Sequence, residues 1–230
     1  MKYELFLMDL DDTLLDFKGS ERLSFESSLG SLGVKGDLEG IYQSYQGINT
    51  ALWKLFEQGK TTKEHLKTER FRKLFELHRI EADPFIAGER FLDALPESVV
   101  LLDGAVEICE WLAARGEIGV ITNGIKQVQT RRIANSGLGP HIGFVSVSEE
   151  CGFAKPDVRF FEHSVKSARK FRKASTIMIG DRIDADVKGA HDFGIDACWF
   201  NPSRHPRPDS IAKPRYEIAE LRELRGICGS

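Results

Sequence analysis

Acidic side chains are concentrated directly after the first apolar run of the chain. Residues 6–16 read FLMDLDDTLLD and contain four aspartates. A buried strand that ends in grouped negative charge is costly unless cations or hydrogen-bond donors compensate it. The segment therefore predicts a functional site, completed by positively charged and hydrogen-bonding groups from elsewhere in the chain.

Three later apolar runs, EIGVIT, GFVSVS and STIMIG, are also followed by reactive side chains. Ligands bind to doubly wound sheets outside the carboxyl ends of the strands, so we expect these groups to converge with Asp9 and Asp11 at one edge. They are a hydroxyl, an amide, a flexible turn, a lysine and further carboxylates: Thr122, Asn123, Gly124, Lys155, Asp181, Asp184 and Asp186.

The types of these residues favour a metal ion and a phosphate group. Carboxylates without grouped thiols or imidazoles favour Mg²⁺. The Thr122 hydroxyl, backbone N–H groups of the Asn123-Gly124 turn and the Lys155 ammonium suit phosphate oxygens. Two unit charges about 4 Å apart at an effective dielectric near 20 interact by about 4 kcal/mol, so carboxylates without Mg²⁺ and Lys155 would exclude a phosphate dianion.

Asp9 and Asp11 are two residues apart, which suggests two different roles. An ionised Asp9 could attack phosphorus and divide hydrolysis into two steps through an aspartyl-phosphate. A carboxyl group off the metal, at Asp11, could protonate the leaving alkoxide and then deprotonate the attacking water. Lys155, Thr122 and the metal would stabilise the charge on the transferred group.

The elements that must position these residues follow from the apolar pattern. From residue 99 onward strands alternate with helices, which predicts a parallel sheet with right-handed crossovers. The strand at residues 3–9 must join that sheet, whereas residues 17–98 show only helical spacing. We predict strands over 117–122, 143–148, 175–180 and 195–200, and helices over 105–115, 125–136, 157–172 and 184–193. The predicted fold is α/β: a Rossmann-like doubly wound parallel sheet core (1–16 and 99–230) with an inserted α-helical cap (17–98).

Composition excludes several classes of function. The 230 residues are 41% hydrophobic and 29% charged, and the net charge of −3 provides no basic field for nucleic acid or membrane surfaces. The four cysteines, Cys109, Cys151, Cys198 and Cys228, show no CxxC pairing and are predicted to be free thiols. No apolar run suits a signal peptide or a membrane span, so a cytoplasmic location is expected.

The segments DLDDT, ITNG, AKP and GDRIDAD resemble, in order and spacing, the four motifs of the haloacid dehalogenase superfamily. The resemblance implies that Asp9 is the nucleophile and Asp11 the general acid/base, with the Asp11 backbone carbonyl on Mg²⁺. It also implies that Thr122 and Lys155 bind phosphate. Asp186, unlike Asp184, matches the second acid of the fourth motif. The implied metal site contains Asp9, Asp11, Asp181 and Asp186, and the implied phosphate site Thr122, Asn123, Gly124 and Lys155.

Two further segments, YQGINTALWKLFEQGKTTKEHLKTERF and DACWFNP, are similar to the bacterial nucleotidases that dephosphorylate pyrimidine nucleoside 5′-monophosphates. This similarity implies a small phosphate monoester as substrate and a monomer or homodimer. Arg182 departs from the pattern, because many relatives carry a small residue there. Helical spacing favours core packing over base stacking for the aromatic residues of the predicted cap: Trp53, Phe56, Phe71 and Phe75.

Other functions stay open at this point. A phosphatase or phosphomutase acting on sugar phosphates would share all four motifs. A 2-haloacid dehalogenase is disfavoured by Asp11, because halide leaves without needing a proton. An inactive regulatory domain is disfavoured by the intact Asp9, Lys155 and Asp181. Outside the motifs, the basic run at 166–173 is predicted to be a solvated helix face.

Overall fold

The computed structural model describes residues 2–229, which contain a six-stranded parallel sheet. Its strands are β1 (Leu5–Met8), β2 (Glu117–Thr122), β3 (Phe144–Val147), β4 (Thr176–Gly180), β5 (Asp196–Phe200) and β6 (Tyr216–Ile218). They are arranged in the order β3-β2-β1-β4-β5-β6. Strand β1 lies between β2 and β4, with Leu5 opposite Glu117 and Thr176. The parallel sheet confirms the predicted α/β fold, and its fully buried β1 explains the continuous apolar run.

Nine α-helices accompany the sheet in the described part of the chain. They are α1 (Phe17–Ser31), α2 (Leu38–Glu57), α3 (Lys63–His78), α4 (Pro84–Ala94), α5 (Ala105–Ala113), α6 (Lys126–Asn135), α7 (Val158–Ser164), α8 (Lys188–Phe193) and α9 (Leu224–Cys228). Residues up to Phe17, Val100–Lys126 and residues from Ser136 onward form one compact unit, the core unit. Lys18–Val99 and Gln127–Asn135 form a second, the helical unit. That the helical unit acts as a cap stays a prediction.

The helical unit has its own aromatic core. Phe25 and Phe71 lie on either side of Tyr45, with ring centroids 4.7 Å and 5.5 Å from it, and Phe91 lies 5.8 Å from Phe71. Phe71 and Phe75 are buried, which confirms core packing for these two residues. Trp53 and Phe56 are partly exposed and contact each other edge to face, so core packing is not established for them.

Side-chain caps define where three of these helices begin. The side chain of Asp37 accepts a hydrogen bond from the Gly40 backbone N–H, and Thr62 and Asp83 cap α3 and α4 in the same way. Each such cap contributes about 0.5–2 kcal/mol to stability.

The helix predicted over residues 157–172 was wrong in its second half. Helix α7 ends at Ser164, a single 3-10 turn follows, and Ala168 has extended backbone. The basic run is largely exposed, as predicted, but it forms no α-helix, and Ala168 and Phe171 within it pack against the core. Phe171 packs on Phe193, with ring centroids 5.7 Å apart.

Two other details differ from the sequence prediction. The helix expected over 184–193 begins with a π-helical turn at Ile183–Val187. Helix α8 then ends at Phe193 and is followed by Gly194, whose φ of +85° suits glycine. Strand β6 was missed because three residues are too short to show an apolar pattern.

The four cysteines are free thiols, as predicted, and three of them are buried. Among the described residues, no helix is both long and apolar enough to cross a membrane.

Candidate active site

The predicted site residues that follow β1, β2 and β4 lie at one edge of the core unit, because parallel strands end at the same edge. Asp9 directly follows β1 and continues its register, since its backbone N–H donates to the Ile179 carbonyl at 2.9 Å. Thr122 is the last residue of β2, and Asp181 directly follows β4.

Lys155 lies between two of the carboxylates. Its Nζ is 2.6 Å from Asp9 Oδ1 and 2.8 Å from Asp186 Oδ1, and it also donates to the Ile121 carbonyl at 2.8 Å. The lysine is 2% exposed. Burial alone would lower the pKa of Lys155, but Asp186 and Asp9 outweigh burial and raise it above its ordinary value. The ammonium therefore stays charged and partly neutralises this buried acidic pair.

Asp186 is held from both sides. Its Oδ2 accepts a hydrogen bond from the Arg182 backbone N–H at 3.0 Å, and the side chain is fully buried. A Cβ atom on Gly180 would lie 2.2 Å from Asp186 Oδ2, so glycine is required there for the carboxylate to take this place. Asp184 instead forms a surface ion pair with Arg182 at 2.8 Å. The two aspartates thus have different surroundings, and the metal-binding role of Asp186 stays a prediction.

Carboxylate oxygens of Asp9, Asp181 and Asp186 all lie within 4.8 Å of one another. Burial is the main cause that raises the pKa of Asp9 to about 7, and burial together with the charges of Asp9 and Asp186 raises the pKa of Asp181 to about 9. One lysine does not compensate three carboxylates, of which Asp9 and Asp186 are buried and Asp181 is half-buried. This shortage of positive charge and the all-oxygen donor set fit a divalent cation such as Mg²⁺.

Asp11 and Asp12 differ in their surroundings although they are adjacent. Asp12 has a left-handed backbone with φ of 54°, and its Oδ1 accepts a hydrogen bond from the Phe17 N–H at the start of α1. Asp12 therefore has a structural role. Asp11 is half-buried, and its side chain is not part of the cluster of three carboxylates at Asp9, Asp181 and Asp186. Its predicted metal contact was through the backbone carbonyl and stays a prediction, as does its role as acid and base.

The turn after β2 makes contacts that the sequence did not indicate. The Asn123 side chain binds the Lys155 backbone twice: Nδ2 donates to the Lys155 carbonyl at 3.0 Å, and Oδ1 accepts from its N–H at 2.8 Å. Thr122 Oγ1 accepts a hydrogen bond from the Gly124 N–H at 3.0 Å. The Asn123 amide thus positions Lys155, while phosphate binding by Thr122 and the backbone of this turn stays a prediction.

Two contacts at Asp181 involve residues to which the sequence analysis assigned no role. Thr13 Oγ1 lies 3.3 Å from Asp181 Oδ1 and accepts a hydrogen bond from the Asp181 N–H at 3.1 Å. The Trp199 indole N–H donates to the Asp181 carbonyl at 2.8 Å. Nothing in the apolar run around Trp199 distinguishes this side chain from a core residue.

The metal-free protein is expected to lose thermal stability as the pH rises. The unfolded chain releases the protons of Asp9 and Asp181 near the ordinary pKa of 3.8, whereas the folded chain holds them up to about 7 and about 9. Between these values the folded state binds more protons, so raising the pH favours unfolding. Mg²⁺ should therefore raise the melting temperature more at about pH 9 than at about pH 5.

Thermal melts with and without Mg²⁺ check this expectation. They compare the wild type with Asp181→Asn, which removes one of the two carboxyl groups whose pKa is raised. Asp184→Asn is the matched control, because Asp184 lies in the same segment but on the surface. If the difference in melting temperature between the wild type and Asp181→Asn is independent of pH, the electrostatic description of the site is wrong.

The chain is similar to known proteins over most of its length. The family of haloacid dehalogenase-like hydrolases matches residues 3–194. The pyrimidine 5′-nucleotidase PynA of Streptococcus pneumoniae is 36% identical, with 97% of this chain and 94% of that protein covered. The pyrimidine 5′-nucleotidase YjjG of Escherichia coli is 30% identical, with 99% and 98% covered.

A third relative, the HAD-hydrolase YfnB of Bacillus subtilis, is 35% identical, with 98% of this chain and 95% of that protein covered. Its crystal structure, described as bound to magnesium, has a TM-score of 0.92 at 33% identity and covers 100% of both chains. The similarity therefore extends through both the sequence and the fold.

Proposed function

Because the chain belongs to the haloacid dehalogenase-like hydrolases, we propose that it is a Mg²⁺-dependent phosphatase that hydrolyses pyrimidine nucleoside 5′-monophosphates. The observation that carries the proposal is the cluster of carboxylates around Lys155: Nζ lies 2.6 Å from Asp9, and Asp9, Asp181 and Asp186 have oxygens within 4.8 Å of one another. Such a group suits a cation and a phosphate dianion together.

In the proposed reaction Asp9 attacks the phosphorus atom of the ester. A bond forms between the Asp9 carboxylate oxygen and phosphorus, and the bond from phosphorus to the nucleoside 5′ oxygen breaks. Asp11 gives a proton to that oxygen, so the nucleoside leaves as an alcohol. Water then attacks the aspartyl-phosphate, Asp11 takes the proton of that water, and Asp9 is regenerated as inorganic phosphate leaves.

The remaining residues bind and orient the phosphoryl group. Lys155 supplies a fixed positive charge next to Asp9, and Asn123 holds the lysine backbone in place. Thr122 provides a hydroxyl at the end of β2. Asp9, Asp181 and Asp186, with the Asp11 backbone carbonyl, would hold Mg²⁺, which when bound neutralises charge on the phosphoryl oxygens.

The relatives PynA and YjjG are named as pyrimidine 5′-nucleotidases, and this naming supports a nucleotide as the substrate. The residues of the core motifs bind phosphate and metal and therefore do not choose the nucleoside. We assign that choice to the helical unit. The similarity of the segment that runs through α2 and α3 to nucleotidases supports this assignment.

Release of inorganic phosphate from a panel of monophosphates tests the proposal. We expect kcat/KM for dUMP or dTMP to exceed that for AMP, GMP and simple sugar phosphates by at least about tenfold, or about 1.4 kcal/mol of transition-state binding. If a purine nucleotide or a sugar phosphate is the best substrate, the protein is still a phosphatase, but the proposed pyrimidine nucleotidase activity is excluded.

Asp11→Asn should slow hydrolysis of dUMP far more than that of p-nitrophenyl phosphate. The alkoxide of a nucleoside needs a proton to leave, whereas p-nitrophenolate is stable without one. General acid–base catalysis contributes about 10²–10⁴-fold, so the ratio of the two losses in the rate of leaving-group release, the first step of the reaction, should be large. Single-turnover rates of phenol and nucleoside release give this ratio, and equal losses on both substrates would remove Asp11 from the leaving-group role.

A further inference from the structure

The backbone of Asp181 is hydrogen-bonded to the loop after β1 and to a side chain of β5. Thr13, in the loop after β1, accepts a hydrogen bond from the Asp181 N–H at 3.1 Å, and its hydroxyl lies 3.3 Å from Asp181 Oδ1. From the other side, the Trp199 indole N–H donates to the Asp181 carbonyl at 2.8 Å. The backbone N–H and the backbone carbonyl of Asp181 are thus both hydrogen-bonded, the first to the loop after β1 and the second to β5.

The indole of Trp199 is itself immobile. Trp199 lies on β5, where it is paired with Gly180 of β4 and Glu217 of β6. Its side chain is 4% exposed and belongs to the main core of the core unit. A buried ring on a strand paired on both sides has little freedom to rotate, so its N–H keeps one direction. Its hydrogen bond to the Asp181 carbonyl therefore restrains the loop after β4.

Such a restraint matters because the site brings three carboxyl groups close together. Oxygens of the Asp9, Asp181 and Asp186 carboxyl groups lie within 4.8 Å of one another, and repulsion between them when they are ionised favours an outward movement of the loop that carries Asp181. Asp9 and Asp186 are both bound by Lys155. No ion pair between Asp181 and Lys155 is found among residues 2–229, whereas the Asp181 backbone is hydrogen-bonded to both Thr13 and Trp199.

We propose that Trp199 is a positioning residue for Mg²⁺ binding, because its indole N–H holds the Asp181 backbone in the conformation that presents the carboxylate to the metal. This inference rests on the proposed Mg²⁺ site. Trp199 lies in the segment DACWFNP, whose apolar pattern alone does not indicate this role. Loss of the N–H should reduce metal affinity while leaving the phosphate-binding residues Thr122 and Lys155 in place.

Trp199→Phe keeps an aromatic ring in the core but removes the donor. Trp111→Phe is the matched control, since Trp111 lies on α5 and its ring faces the Arg115 guanidinium, 3.8 Å from the ring centroid. Titration calorimetry of MgCl₂ into the metal-free proteins should show a dissociation constant about tenfold higher for Trp199→Phe, as expected for one lost hydrogen bond at about 1.4 kcal/mol per tenfold. Trp111→Phe should bind Mg²⁺ as the wild type does.

Steady-state kinetics separate positioning from a general loss of structure. At saturating Mg²⁺ the Trp199→Phe enzyme should recover kcat and keep the wild-type KM for p-nitrophenyl phosphate. If it binds Mg²⁺ with wild-type affinity, the proposal is overturned. A wild-type protein that binds no Mg²⁺ would overturn the proposed metal site and this inference with it, and that result is distinct from a failure of Trp199 alone.

If Trp199→Phe does not fold, an isosteric tryptophan analogue provides a second test. The chain has three tryptophans, so Trp53→Phe and Trp111→Phe leave Trp199 as the last one. Biosynthetic replacement of that residue by its benzothiophene analogue keeps the shape of the ring and removes only the N–H. The same rise in the Mg²⁺ dissociation constant is expected, and an unchanged constant would contradict the proposal.

Discussion

Asp9→Asn is expected to lose turnover by at least about 10⁴-fold, the scale on which removal of a catalytic nucleophile acts, while the protein remains folded. An amide does not attack phosphorus, so no aspartyl-phosphate forms. Asn is also close to Asp in volume, and Lys155 keeps its second carboxylate partner, Asp186, at 2.8 Å. Phosphate release from dUMP and a thermal melt of the same sample check the two parts of this expectation.

Asp184→Asn is the control for this variant, because it makes the same chemical change at a surface residue that pairs with Arg182. It should keep wild-type activity. If Asp9→Asn retained more than trace phosphatase activity after purification free of host enzymes, another residue would have to be the nucleophile.

Lys155→Met is expected to reduce both activity and stability. Removing the ammonium leaves Asp9 and Asp186 buried without the cation that pairs with both of them. Breaking a buried ion pair by removing one partner costs about 3–5 kcal/mol in the free energy of unfolding. The loss of a fixed charge next to the transferred phosphoryl group should lower kcat by about 10²–10³-fold.

Lys188→Met provides the comparison, since Lys188 forms an exposed pair with Asp192 on α8, and pairs of this kind contribute about 0–1 kcal/mol. Urea unfolding of both variants in the absence and presence of Mg²⁺ measures the difference. Mg²⁺ should restore part of the stability lost by Lys155→Met, because it supplies positive charge to the same carboxylates. A Lys155→Met protein as stable and as active as Lys188→Met would contradict the electrostatic account of the site.

Much of the core unit could be predicted from the sequence because its strands are short apolar runs that end in chemically distinctive residues. The strand over 117–122 was predicted with its observed bounds, and those that became β1 and β4 were predicted to within two residues at either end. Parallel pairing then places their carboxyl ends together, so the meeting of Asp9, Lys155 and Asp186 follows from topology.

The parts that could not be predicted depend on contacts between segments distant in sequence. The Asn123 amide has the chemistry of a ligand-binding group, and only the structure shows that it is occupied by the Lys155 backbone. Trp199 is one of four apolar residues in the five-residue strand β5, and its N–H reaches Asp181 because β5 lies beside β4. Residues 165–172 have helical composition, yet Val165, Ala168 and Phe171 pack against the core without forming an α-helix, and local propensity does not reveal this outcome.

The central claim, that Asp9 carries the phosphoryl group during turnover, is tested most directly by mass spectrometry of acid-quenched enzyme during hydrolysis of dUMP in the presence of Mg²⁺. The account predicts a phosphoryl group on the peptide that contains Asp9, formed within the first turnover, absent in chelator and absent from Asp9→Asn. Rapid phosphate release with no phosphoryl group on that peptide, or with one on another residue, would contradict it.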